Sequence, residues 1–303
     1  MSALRTSGTG LMPRGLLLPF LLVGLGILFR ANPAGAHCVA YTKGDPEAMY
    51  CDEQGLPVYW PRNEIEYIIS ESFDDAAISG LGGQEARTVV DEVFQSWAQV
   101  KCPNEDGDLI ETGLQILASP GSTNLRLGGY EECAPQENVI SLLSPEEWID
   151  QGQEEEGIGL PVQHHADAFA LTMTWFDTRT GRILGADIEL NAGAGRYTVC
   201  PDEGCDTSGN EIDLANVLAH EVGHFLGLAD SQDPEATMYY GAENSDLQKR
   251  SLAADDKAGL CALFPAEERE ARAIEALSTD RQIECLPPSG EDSPEGEPSP
   301  EGE

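Results

Sequence analysis

His220, Glu221 and His224 open the stretch His220-Glu221-Val222-Gly223-His224-Phe225-Leu226-Gly227-Leu228-Ala229-Asp230. Two histidines four apart on a helix share a face, so both imidazoles can reach one Zn²⁺. Glu221, beside the first of them, is placed to work on a metal-activated water rather than on the metal itself. Gly227 lets the chain leave the helix through a conformation closed to most residues, and Asp230 follows as a third, oxygen donor. Three protein ligands keep a fourth position open, the arrangement of a catalytic zinc rather than a structural one. Such an ion lowers the pKa of bound water to about 7 and polarises a carbonyl. Glu221 then takes the water proton as general base and returns it to a leaving amine as general acid. Two neutral imidazoles and one carboxylate leave the site nearer +1 than +2, which makes that water somewhat less acidic than three histidines would. Asp233 is a competing donor three residues further on.

The elements that must position these groups are legible in outline. The metal helix is expected to start after Asn210 as N-cap, with Glu211 and Asp213 in its positive first turn. Ile212, Ala215, Leu218, Ala219, Val222 and Phe225 give it a broad apolar face, so it should be largely buried. Residues 84–100 form the clearest amphipathic helix, with Ala86, Val89, Val90, Val93, Phe94, Trp97 and Val100 on one stripe. Strands are expected at 65–69, 114–117, 139–143, 168–175 and 183–190, the last two joined by the turn 177–181. Residues 118–137 read as loop and 147–159 as an acidic, glycine-containing surface segment.

The metal stretch resembles the metzincin metalloproteases, whose pattern is His-Glu-x-x-His-x-x-Gly-x-x-His or Asp followed by a Met-containing turn. Ala236-Thr237-Met238-Tyr239-Tyr240 is the turn candidate, with Met238 eight residues past Asp230, a spacing similar to the matrixin branch. Leu252-Ala253-Ala254-Asp255-Asp256-Lys257-Ala258-Gly259-Leu260 looks like the C-terminal helix of a matrixin catalytic domain. Phe176-Asp177 and Ala186-Asp187-Ile188-Glu189-Leu190-Asn191 extend the resemblance more weakly upstream. It covers residues 57–265 and is specific from 211 onward. Most matrixins carry His where this chain has Asp230; Asp stands there in the smaller, snapalysin-like set.

The resemblance implies an α+β fold, the zincin/metzincin catalytic domain. A twisted mixed sheet would pack on two long helices, with a smaller C-terminal subdomain after Gly227. It implies Met238 as an apolar floor beneath the metal, not a ligand. Tyr240 sits where the astacin and serralysin branches place a tyrosine that approaches the metal and stabilises the oxyanion. A tyrosine lining the substrate pocket is the competing reading, since matrixins usually carry Pro there. His164, His165 and Asp167 fall where matrixins bind structural ions, but without the fuller ligand pattern an exposed loop pair is favoured. Asp187 and Glu189 are the calcium donors the analogy suggests. A third ligand on a distant helix is disfavoured by Gly227 and Met238.

Residues 1–36 read as a secretory signal: Arg5 and Arg14 are positive, 15–29 is apolar, and Ala34-Gly35-Ala36 gives small residues for cleavage before His37. The apolar run is shorter than the roughly 20 residues that span a bilayer. Removing Arg5, Arg14 and Arg30 takes the formal charge from −37 to −40, which disfavours nucleic acid and anionic membrane and favours a soluble monomer. The eight cysteines (Cys38, Cys51, Cys102, Cys133, Cys200, Cys205, Cys261, Cys285) all follow the cleavage point and are expected to form four disulfides. Nearest-neighbour pairing is expected, foremost Cys200 with Cys205 and Cys261 with Cys285. The domain plan is a signal peptide at 1–36, an irregular segment at 37–56 and the catalytic domain at 57–265. A helix and disulfide extension at 266–286 and a disordered acidic tail at 287–303 follow. The whole is expected to be a secreted, zinc-dependent endopeptidase acting on protein or peptide substrates. An exported binding or adhesion protein on a degenerate scaffold is the alternative; such a scaffold has no need of Glu221.

Overall fold

The computed structural model describes residues 37–44, 51, 53–75, 80–129, 137–154, 164–165, 167–241 and 246–265. The signal segment, the stretch after Pro265 and the acidic tail therefore lie outside the described residues. Five strands form the main sheet: β1 (Glu64–Ile69), β4 (Gln115–Ala118), β5 (Val139–Leu143), β6 (Ala170–Phe176) and β7 (Ile183–Asn191). They run in the order β4-β1-β5-β7-β6, all neighbours parallel except β6, which returns antiparallel along β7 as an edge strand. Central β5 is buried on both faces, as a parallel strand covered by helices must be. On β1 the alternation Ile65, Tyr67, Ile69 faces the core.

Helix α1 (Gly83–Ala98) buries the expected stripe, and Val100 just beyond its end is buried with it. It packs against α3 (Leu214–Phe225), the helix that carries His220, Glu221 and His224. Two indoles fix that helix. Trp97 donates to the Ala219 carbonyl at 3.0 Å and Trp60 to the Phe225 carbonyl at 2.8 Å, so neither buried N–H is left unpaired. A smaller part follows α3 and contains the helix α4 (Ala254–Leu263). This is the α+β architecture expected, a twisted mixed sheet on two long helices.

Three local expectations are corrected. Helix α3 begins at Leu214, not after Asn210: Glu211–Asp213 is strand β9, paired in parallel with β8 (Arg196–Thr198). Asp213 is the cap, its carboxylate accepting the Asn216 amide at 2.8 Å. Asn210 instead takes the turn before the strand, at φ 50°. Propensity alone favoured Asn210; pairing with β8 decides the boundary. Second, the acidic surface segment is helical at its start, α2 (Pro145–Glu154). Ser144 and Glu147 cap it reciprocally, each side chain accepting the other's amide, and Trp148 anchors it in the core.

The third correction is a disulfide. Cys38 pairs with Cys51 and Cys200 with Cys205, both nearest neighbours. Cys261 pairs with Cys102, 159 residues away, rather than with Cys285. Helix α4 packs against the two-stranded ribbon of β2 (Lys101–Pro103) and β3 (Leu109–Glu111), which brings Cys102 to Cys261. Sequence proximity holds no information about that packing. Cys133, Cys285 and the 266–277 helix candidate lie outside the described residues. Among the described residues no helix is long and apolar enough to cross a membrane.

Candidate metal centre and active site

Helix α3 carries His220 and His224 one turn apart, as the spacing requires. His220 Nδ1 lies 2.9 Å from the Thr237 carbonyl oxygen and His224 Nδ1 lies 3.0 Å from that of Leu228. A carbonyl can only accept, so each Nδ1 carries the proton and each Nε2 the lone pair. The two Nε2 atoms face each other at 3.2 Å. Asp230 Oδ1 completes the triangle, 3.3 Å from His220 Nε2 and 3.6 Å from His224 Nε2. It is buried and makes no hydrogen bond.

This donor set fits zinc. A tetrahedral ion bound at about 2.0–2.1 Å sets its ligands about 3.3–3.4 Å apart. Three lone pairs held at that separation without a proton between them are unfavourable unless a cation lies among them. Among the described residues no other three His, Cys, Asp or Glu donors converge in this way. Burial opposes ionisation of Asp230, but His220, His224 and Lys249 around it outweigh that and hold its carboxyl below the ordinary range.

Asp230 is delivered by the end of α3. Leu226 caps the helix, Gly227 turns at φ 103°, and the amides of Gly227 and Leu228 return to the carbonyls of His224 and Gly223. That Schellman pairing needs a residue free to adopt positive φ. A Cβ on Gly227 would also stand 2.6 Å from the Val58 carbonyl oxygen. The segment 38–40 then brackets the exit, with Ala40 N–H on the Gly227 carbonyl and Ala229 N–H on that of Cys38. Beyond Asp230, Ser231 N–H binds the Met238 carbonyl at 2.7 Å, and the Ser231 hydroxyl donates to Asp255. Asp233 is occupied elsewhere, its Oδ1 accepting the Glu235 amide.

Met238 is buried against α3: a Cβ on Gly223 would stand 2.1 Å from its sulfur. Asp256, at the start of α4, holds that turn by accepting the amides of Thr237, Met238 and Ala253 at 2.7–2.9 Å. Glu221 is 7 % exposed, and one carboxylate oxygen receives the Thr172 hydroxyl from edge strand β6 at 2.7 Å. Beside Glu221 and His220 opens a cavity of about 290 Å³, walled by Phe169, Ala170, Val217, Tyr240 and Lys249 among others. Tyr240 stands on its exposed side with its ring against Tyr239, a lining position. Lys249 is 2 % exposed and donates to the Tyr239 carbonyl. Burial pushes its pKa down, against the pull of Asp230, Glu221, Asp246 and Asp256.

The second histidine pair does not converge. His164 Nε2 lies 2.8 Å from Glu189 Oε2, both buried, with the His164 ring edge-on to Trp148. His165 is exposed, and Asp167 is exposed at the cavity rim. Nor do Asp187 and Glu189 face a calcium: Asp187 accepts the amides of Gly128, Gly129 and Val139, and Glu189 meets His164. The calcium expectation therefore finds no support.

Sequence reasoning missed Thr172, Lys249 and Asp256. Only Asp256 left a signal, an acid in the first turn of a helix where a backbone-capping carboxylate belongs. Thr172 and Lys249 act across the fold: Thr172 bonds Glu221, 49 residues away, and Lys249 comes against His220, 29 residues away.

Residues 137–265 match the matrixin family model. Metalloendoproteinase 1-MMP of Arabidopsis thaliana is 24 % identical over 217 residues, 72 % of this chain and 47 % of that protein. Probable matrix metalloproteinase 095L of Invertebrate iridescent virus 3 is 41 % identical over 88 residues, 28 % of this chain and 22 % of its own. The chain thus spans half or less of the length of these relatives. With the mixed sheet, the paired helices and the Met-containing turn, residues 137–265 are similar to a matrixin-type metzincin domain.

Proposed function

We propose that this protein is a secreted zinc-dependent endopeptidase in which His220, His224 and Asp230 hold the metal and Glu221 moves the protons. The observation that carries the reading is the triangle of three mutually facing lone pairs beside a buried carboxylate. Zinc bound there supplies a Lewis acid that acidifies water and polarises the scissile carbonyl. The chain's residues do the rest. Thr237 and Leu228 carbonyls fix both histidines in the tautomer that presents Nε2. Asp230 adds a negative charge that the helix alone could not supply. Glu221, steered by the Thr172 hydroxyl, takes a proton from the attacking water and delivers it to the leaving amine. Tyr240 lines the substrate cavity. Strand β6 offers an edge along which an extended peptide can lie.

Export through the 1–36 signal, and the catalytic unit at 57–265, belong to the same proposal. The three disulfides support an oxidising compartment. The test is metal content of the purified protein together with cleavage of an unfolded protein substrate. One equivalent of zinc and cleavage abolished by a chelator and restored by zinc are expected. A zinc-loaded protein that leaves every unfolded substrate intact would overturn the enzyme reading in favour of a binding role.

A further inference from the structure

We propose that the cavity beside Glu221 receives an acidic side chain of the substrate, with Lys249 as the residue that selects it. The inference rests on the endopeptidase reading and names a substrate class for it. Lys249 lies in the cavity wall, almost wholly shielded from solvent. An ammonium has three N–H donors to satisfy. One goes to the Tyr239 carbonyl. His220 Nδ1 is 3.3 Å away, but its own proton is committed to Thr237, so the imidazole offers no lone pair there. Asp230, Glu221, Asp246 and Asp256 attract the ammonium electrostatically, but its close contacts are the Tyr239 carbonyl and the side of His220.

The remainder of the wall suits a short aliphatic stem. Phe169, Ala170 and Val217 are apolar, and about 290 Å³ is room for one substrate side chain. An apolar side chain entering the cavity would offer the ammonium's remaining donors no partner, which is disfavoured. A glutamate would lay its methylenes on the apolar wall and bring a carboxylate to Nζ, a charge-assisted pair in a water-poor place. Asp167 opposes this from the exposed rim, where solvent and salt screen it, and Glu221 opposes it from the buried wall, so the incoming carboxylate must sit nearer Lys249 than Glu221. Glu should exceed Asp, because the longer stem reaches past the rim. Sites built on a polar partner discriminate sharply against analogues lacking it.

The test uses the purified, zinc-loaded full chain in two arms at about 0.15 M salt, where long-range repulsion by the acidic protein is screened. One arm cleaves a peptide mixture varied at every position flanking the scissile bond and reads the cut sites by mass spectrometry. The other titrates peptides with a central reduced, uncleavable bond that differ only in Glu, Gln or Leu beside it. Glu is expected to lead by roughly tenfold or more in both arms, Lys249→Arg to keep the order, and Lys249→Met to hand it to Leu. Cleavage with Gln or Leu equal to Glu in the wild type overturns the inference and leaves the endopeptidase standing. Preferential binding of the Glu peptide without any cleavage supports the pocket and overturns the endopeptidase.

Discussion

Two regions of this molecule carry paired histidines near an acid, and the fold treats them in opposite ways. At His220, His224 and Asp230 each imidazole gives its Nδ1 proton to a backbone carbonyl, which turns two Nε2 lone pairs and a carboxylate oxygen on one another. At His164 the ring meets Glu189 directly, while His165 and Asp167 point to exposed surroundings. The first arrangement leaves lone pairs that call for a cation. The second sets one imidazole nitrogen, Nε2, against the protein's own anion. Adjacency in sequence means little beside this; what makes a ligand of a histidine is where its other nitrogen is anchored.

The largest break in that comparison comes at Glu221. Glu221→Ala should keep the fold and one equivalent of zinc while turnover falls roughly three orders of magnitude. Near-normal peptidase activity in that variant would remove Glu221 from the mechanism. Next comes Asp230. Asp230→Ala should weaken zinc binding by several powers of ten, as a ligand and its charge go together, with Asp230→Asn between Ala and wild type. Competition with a calibrated chelator reads both. His164→Ala should leave zinc affinity within about twofold and instead cost stability, about 3–5 kcal/mol, because a buried acid–imidazole pair is broken. Loss of zinc from that variant would make the second region a metal site after all.

The same strand supplies a pH test. Asp187 lies two residues before Glu189 on β7, and burial pushes its pKa from 3.8 up to about 7 against the three amides it accepts. A pKa raised on folding means the native state holds a proton that the unfolded chain has already released. Its contribution is therefore full below about pH 4 and lost as pH rises through 7, by no more than about 4 kcal/mol. Asp187→Asn cannot titrate, so its denaturation midpoint should fall less than the wild type's between pH 4.5 and 7.5. Parallel slopes for the two proteins would refute the shift.

The sequence disclosed whatever was encoded locally. Helical spacing placed His220 and His224 on one face, and the apolar stripe of α1 was readable from residues 84–100 alone. The hairpin of β6 and β7 followed from alternation broken by 177–181. What stayed hidden depends on contacts between distant segments. The Cys102–Cys261 bond needs α4 laid on the β2 ribbon, and the true start of α3 needs β8 beside Glu211–Asp213. Thr172 reaches Glu221 only because β6 lies along the metal helix, and Lys249 reaches the cavity only because the chain returns beneath Asn216, whose side chain accepts its amide. Periodicity reports which face of an element is buried, not which element covers it.

The smallest effect is the most diagnostic for ligand choice. Asp233 stands three residues beyond Asp230 and is chemically as good a donor. Its carboxylate, however, accepts the Glu235 amide at 3.0 Å, its backbone amide binds Ser231 Oγ, and its carbonyl accepts the Ala236 amide. It builds the turn that leads into Met238. Asp233→Ala should then cost about 1 kcal/mol of stability through the lost side-chain hydrogen bond, and change zinc affinity by less than twofold. Asp230 has the reverse profile, a buried oxygen without a hydrogen bond facing two imidazoles. Measuring zinc affinity and unfolding midpoint on both alanine variants separates a turn-former from a ligand. Were Asp233→Ala to strip the metal while Asp230→Ala held it, the carboxylate assignment would have to be exchanged. The segment from Gly227 to Met238 would then have to re-fold on metal binding to bring Asp233 inward.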